Sequence, residues 1–167
     1  MARHLRPETA EFLDGAPLRL SFAAVLAVPP ETVFRELAEV PEGWPYWCRP
    51  VVSVEYVGDP PYREGSCRRV RLAGWGRCVE TVLVHEPGRR LVHRVEETGV
   101  PGMLALVEEW RLAPSPYGGT RLAWTMALDA PRPVRWAWRA ARPLLARAFR
   151  RAAGLLDARI AREGPAS

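Results

Sequence analysis

The apolar positions of this chain follow two rhythms. From Leu18 to Ala27 a dense apolar stretch bounded by Pro29 predicts a first strand, whereas in Glu31 to Val40 the residues Val33, Phe34, Leu37, Ala38 and Val40 recur at helical spacing until Pro41 and Gly43 end the pattern. The Pro29-Pro30 pair between them blocks strand pairing and helix continuation at its own position, yet Pro30 suits a first helical turn and Glu31 complements the positive helix end. A short Trp-rich helix or turn over Trp44 to Trp47 follows and stops at Pro50. Met1 to Pro17 has no sustained period and reads as an arm with a helical turn around Glu8 to Leu13.

A meander comes next. Val51 to Val57, Ser66 to Ala73, Arg77 to Glu86, Leu91 to Glu97, Leu106 to Ala113 and Thr120 to Leu128 are each of strand length, and Gly- and Pro-rich turn-formers separate them, so serial antiparallel pairing is expected. In Arg132 to Arg162 the apolar residues Leu145, Phe149, Ala152, Leu156 and Ile160 return to spacings of three and four, which predicts an amphipathic helix with its stripe on the sheet. Pro143 is expected to kink or divide it near Arg142.

Several local sequences resemble the START-like polyketide cyclase/dehydrase and lipid-transport superfamily, SRPBCC. Ala27-Val28-Pro29-Pro30-Glu31-Thr32-Val33-Phe34 is similar to its strand-to-helix opening, and Trp44-Pro45-Tyr46-Trp47 to its Trp-containing second helix. Glu86-Pro87-Gly88-Arg89-Arg90-Leu91 resembles the turn before its fifth strand, while Glu109-Trp110-Arg111-Leu112 with Gly118-Gly119-Thr120-Arg121-Leu122 resembles its last hairpin. The resemblance implies an α+β helix-grip fold: a curved seven-stranded antiparallel sheet wrapped on a long C-terminal helix, with two short helices after the first strand. It divides the chain into an arm over 1–17, one START-like ligand-binding domain over 18–163 and a tail over 164–167. It also implies a cavity for a hydrophobic ligand, and the superfamily's functions range from cyclases to lipid and quinone carriers.

Composition narrows the remaining classes. At 167 residues with 48% hydrophobic residues, the chain is long enough for one sizeable core, and no apolar run approaches the roughly 18 residues of a membrane span. Arg3, His4 and Arg6 are followed by Glu8 and Glu11 rather than by an apolar segment, so no secretory signal is expected and the expected location is cytoplasmic. Cys48, Cys67 and Cys78 lack metal-ligand spacing and read as reduced thiols, so neither a metal site nor a cofactor is expected. The net charge of +5 rests on arginine alone and is concentrated in the last segment, where an anionic partner such as an acyl carrier protein could dock. An interleaved aromatic ladder is missing there, which argues against single-stranded nucleic acid.

Strand alternation brings the candidate chemistry to one face. Val70 and Leu72 carry Arg68 inward, Val82 and Val84 carry Glu80, Leu91 and Val95 carry His93, and Leu106, Trp110 and Leu112 carry Glu108. With Phe22, Trp47, Tyr56, Trp110, Trp124 and Met126 as apolar walls, the carboxylates and the imidazole could exchange protons with a carbonyl substrate while Arg68 holds an oxyanion. That chemistry suits a cyclase or dehydratase. The same residues also read as structure, with Arg68 and Glu80 a mutually satisfied ion pair and His93 a hydrogen-bonded core residue, in a carrier or sensor of a lipid, quinone or isoprenoid. His85 is expected to be exposed near a turn, and Gly99 to Met103 to form, together with Trp44 to Trp47, a mobile lid over the cavity mouth with Met103 as its apolar tip.

Overall fold

The computed structural model describes residues 2–163; the expected tail over 164–167 lies outside the described residues. The chain order is β1 (Arg3–His4), α1 (Phe12–Gly15), β2 (Leu18–Leu26), α2 (Pro30–Ala38), a 3₁₀ turn (Pro41–Gly43), α3 (Trp44–Trp47), β3 (Val51–Val57), β4 (Cys67–Leu72), β5 (Gly76–Glu86), β6 (Arg90–Thr98), β7 (Ala105–Pro114), β8 (Thr120–Asp129) and α4 (Arg132–Glu163). Seven strands form one antiparallel path, β2-β8-β7-β6-β5-β4-β3, so the first long strand pairs with the last and β2 and β3 are the sheet edges. This is the expected helix-grip fold, with α4 lying across the concave face.

The concave face and α4 share the main core. Leu20, Phe22, Leu91, Leu106, Trp110, Leu112 and Met126 meet Phe149, Ala153, Leu156 and Ile160 there. α4 runs through Pro143 as one helix, so of the kink or division expected there the division does not occur. Arg139 and Pro143 are both exposed, so the carbonyl left without its amide partner faces water and the rest of the helix is held by its buried stripe.

The N-terminal segment is built into the sheet. β6 and β7 pair only from Arg90 with Arg111 to Arg94 with Val107; beyond that they splay, and β1 pairs with β6 at Thr98 and Glu97. The amide of Leu5 donates to Glu96 and that of Arg6 to Leu104, so the segment bridges the splayed ends. Leu13 of α1 then packs with Val92, Val107 and Ala127 as a second, smaller core on the convex face.

A clasp fixes the far end of α4. Glu36 of α2, buried, accepts from Arg159 Nε at 3.3 Å, and the Arg159 guanidinium lies 5.0 Å over the Tyr46 ring. A Cβ on Gly43 would fall 2.8 Å from Glu36 Oε2, so the absence of a side chain there leaves room for the clasp.

Candidate functional site

Strand register, not proximity in sequence, assembles the polar set. Arg68 on β4 is the cross-strand partner of Glu80 on β5; His93 on β6 stands between Val82 and Glu108, and Glu108 on β7 between His93 and Met126. Directly opposed residues of an antiparallel ladder hold their Cβ atoms within about 4.5–5.5 Å, so His93 and Glu108 are side-by-side neighbours on the concave face. All four residues fall on the same face.

Arg68 is held on two sides. Its Nε donates to Glu80 Oε2 at 2.7 Å, and its Cζ lies 4.8 Å from the centre of the Trp44 ring. Only 2% of Arg68 is exposed, yet its Nη1 has no hydrogen-bond partner. Burial opposes its charge, but the Glu80 carboxylate and hydrogen bond outweigh this and hold the guanidinium above its ordinary range. Trp44, whose own indole N–H donates to the Leu37 carbonyl, was not singled out for this role by sequence. Its place in the Trp44–Trp47 segment was visible; its guanidinium partner was not.

Burial raises the Glu108 carboxyl to about 8, with the negative Glu80 adding to the shift and Arg68 opposing it. Glu108 keeps some accessible surface, whereas His93 and Met126, its neighbours on either side, are buried. His93 is fully buried, and burial together with the positive Arg68 holds it well below 6.5, so the imidazole is neutral. Neither of its ring nitrogens has a hydrogen-bond partner in the protein. Cys48, at the end of α3, has its thiol pushed up to about 12 by burial and by Glu108, which excludes a thiolate nucleophile at neutral pH.

Aromatic rings pack on the same face as the polar set. Trp110 stacks on its cross-strand partner Trp124 at 5.6 Å, Trp124 lies 5.7 Å from Phe22, and Phe149 of α4 closes over the row at 6.0 Å from Trp124 and 6.4 Å from Trp110. Trp47 meets Trp110 edge-on at 6.3 Å. Met126 and Met103 are buried in the same core, and Tyr56, the cross-strand partner of Arg68, stacks on Tyr62 at 3.8 Å. The indole nitrogens of Trp47, Trp110 and Trp124 and the Tyr56 hydroxyl are buried without a partner. Such groups cost free energy unless something accepts from them, which makes the set a donor-lined interior.

Two expectations are corrected. An extra residue in β5 shifts the register between Val82 and Val84, so Val84 pairs with Val92 on the convex face and His85 turns inward opposite Leu91. His85 is therefore half-buried, edge-on to Phe34 at 5.0 Å, with Nε2 buried and unpartnered. The Gly99 to Met103 segment is packed rather than free: a Cβ on Gly99 would strike the Trp75 carbonyl, one on Gly102 would lie 2.8 Å from Val134 of α4, and Met103 is only 4% exposed.

Known proteins share this fold. The family model described as polyketide cyclase / dehydrase and lipid transport matches residues 18–161. The uncharacterised protein Rv2574 of Mycobacterium tuberculosis is 34% identical over 140 residues, covering 84% of this chain and 83% of its own. Among solved structures, TTHA0849 from Thermus thermophilus superposes with a TM-score of 0.68 at 18% identity, over 89% of this chain and 100% of that one. The ZhuI aromatase/cyclase from Streptomyces sp. R1128 does so with a TM-score of 0.65 at 19% identity, over 89% and 96%. At such identities these structures speak for the fold alone. With the family model spanning nearly the whole sheet and α4, the chain belongs to the polyketide cyclase/dehydrase and lipid-transport family.

Proposed function

We propose that this protein binds a hydrophobic small molecule carrying oxygen acceptors between the sheet and the final helix, and acts on it by proton transfer as a cyclase or dehydratase. The observation that carries the reading is the pairing of Glu108, raised to about 8, with a neutral His93 whose ring nitrogens have no partner. At neutral pH Glu108 is mostly the acid and His93 the proton acceptor. In an intramolecular aldol step, the imidazole takes a proton from an activated methylene. The resulting carbanion bonds to a carbonyl carbon, and the carbonyl oxygen takes the Glu108 proton. Dehydration reverses the two roles: the Glu108 carboxylate takes a second C–H proton while the hydroxyl leaves as water with the proton of the His93 imidazolium, which restores both groups. Arg68 would steady an enolate or phenolate oxygen through its unpartnered Nη1, with Glu80 and Trp44 holding the guanidinium in place.

A carrier of a lipid, quinone or isoprenoid is the second reading, favoured by the unpartnered Trp47, Trp110, Trp124 and Tyr56 groups, which can anchor a head group with no chemistry at all. Exposed Arg132, Trp136 and Arg139 border a cleft of about 390 Å³ at the start of α4, and on either reading they suit an anionic partner, an acyl carrier protein among them. Incubation with a linear poly-β-ketone thioester and analysis of products separates the two. The enzyme reading expects a cyclised product whose rate falls about 100- to 10,000-fold in His93→Ala and Glu108→Gln. Binding without a cyclised product would leave the carrier.

A further inference from the structure

A groove of about 370 Å³ opens on the outside of the molecule between the edge strand β2 and the middle of α4, bordered by Phe22, Phe149, Ala146, Pro143, Arg142 and Arg150. Its floor is the Phe22 and Phe149 pair, with ring centres 6.1 Å apart. Both rings rest on Trp124, at 5.7 and 6.0 Å. One layer of aromatic rings therefore separates the groove from the donor-lined interior of Trp124 and Trp110.

The seam is also where the wall is least tied down. β2 has no strand on its outer side, and Pro143 offers no amide to the Arg139 carbonyl, so the helix lacks one rung along the groove. Ala146 contributes only a methyl group to the wall. The rim is cationic: Arg142 and Arg150 are exposed and about 12 Å apart along the helix axis. Among the described residues, the ion pairs made by α4 arginines use Arg135 and Arg159, which leaves these two guanidiniums without a carboxylate.

An apolar floor continuous with the interior, under a rim of unpaired guanidinium groups, fits an amphiphile with an anionic head. We propose that this seam is a ligand portal and head-group subsite: a carboxylate or phosphate at the end of an apolar chain is held by Arg142 and Arg150 while the chain passes between Phe22 and Phe149 toward Trp124. The inference rests on the interior being the ligand chamber of the proposed function, but not on any proton transfer there.

Dodecanoate and dodecanol share a chain and differ in head group, and both can be titrated against the indole fluorescence of the full chain. Wild type should bind the acid about tenfold more tightly than the alcohol, as a charge-assisted contact supplies. In the Arg142→Ala/Arg150→Ala variant the acid should fall to the affinity of the alcohol, while Arg147→Ala/Arg151→Ala, which removes the same charge elsewhere on α4, should keep the preference. Ala146→Trp, which fills the seam, should slow dodecanoate association in stopped flow about tenfold or more. Retention of the preference by the rim variant, its equal loss in the control, or an unchanged association rate in Ala146→Trp each overturns the portal, even where dodecanol or a hydroxyanthraquinone still quenches the indoles. Failure of the acid, the alcohol and the hydroxyanthraquinone alike to bind wild type overturns the chamber and the portal together.

Discussion

Arg68 donates its Nε–H to Glu80 at 2.7 Å while its Nη1 keeps no partner, so a buried ion pair is satisfied on one side and open on the other. Glu80, with Tyr56 across the strand pair, explains how the charge survives burial.

Removing one member of that pair leaves the other buried and unpaired. Arg68→Ala should destabilise the protein by about 3–5 kcal/mol without any ligand present. Replacing both, as Arg68→Met with Glu80→Leu, should cost much less, because the charges leave together. Urea unfolding of the two variants checks the difference in midpoint; equal losses would show that the pair is not the source of the effect.

The interior carboxyl and imidazole give stability opposite pH slopes. Glu108 is raised from 4.5 to about 8, so the unfolded chain loses this proton first and the folded chain holds it longer. Its contribution is fully present below about pH 4.5 and is lost as pH rises toward 8, on the order of 2–5 kcal/mol in all. His93 is held well below 6.5, so the unfolded chain protonates first and stability is lost as pH falls below that value. From about pH 6.5 to about pH 8, where the His93 contribution is already complete, urea midpoints should decline in wild type and flatten in Glu108→Gln, while below about pH 6.5 that variant should show only the His93 loss, with midpoints falling as pH falls. A decline that survives Glu108→Gln belongs to another group.

The clasp between α2 and α4 should be less sensitive than the interior pair. Glu36→Ala removes one partner of Arg159 but leaves it Glu163 at 2.8 Å and the Tyr46 ring, and a loss of about 1.5–3 kcal/mol is expected. Gly43→Ala, which puts a Cβ against the Glu36 carboxylate, should weaken the same contact. Combining the two should cost less than the sum of the single losses, whereas strict additivity would show that Gly43 does not act through Glu36.

Phe149 belongs both to the core stripe of α4 and to the floor of the outer groove. Phe149→Ala should lower stability by about 3–5 kcal/mol if the cavity stays open. A loss under about 1 kcal/mol would mean that the ring is not packed core.

Much of the fold was legible because strand and helix periods are written in apolar spacing: Phe149, Leu156 and Ile160 mark the buried face of α4, and Gly- and Pro-rich turns separate the strands. The polar set was legible for the same reason, since alternation alone put Arg68, Glu80, His93 and Glu108 on one face. What alternation cannot carry is a bulge. One extra residue near Val82 sent Val84 outward and His85 inward, and no residue type in that stretch announces it. Nor does a two-residue strand have a period, so β1 was invisible until the splay between β6 and β7 gave it a place. Trp44 over Arg68 and Glu36 against Arg159 join residues far apart in sequence, and only the folded chain sets those contacts.

The central claim is that the concave interior is a ligand chamber whose reacting group is Glu108. Carbon-13 NMR of glutamate-labelled protein, with Glu108 assigned through Glu108→Gln, measures it most directly when the titration is repeated with a hydroxyanthraquinone bound. Glu108 is expected to titrate near 8 in the free protein, and ligand to move both that titration and the indole N–H resonances of Trp110 and Trp124. A carboxyl that titrates near 4.5, with those interior resonances unmoved while surface resonances shift, would contradict it.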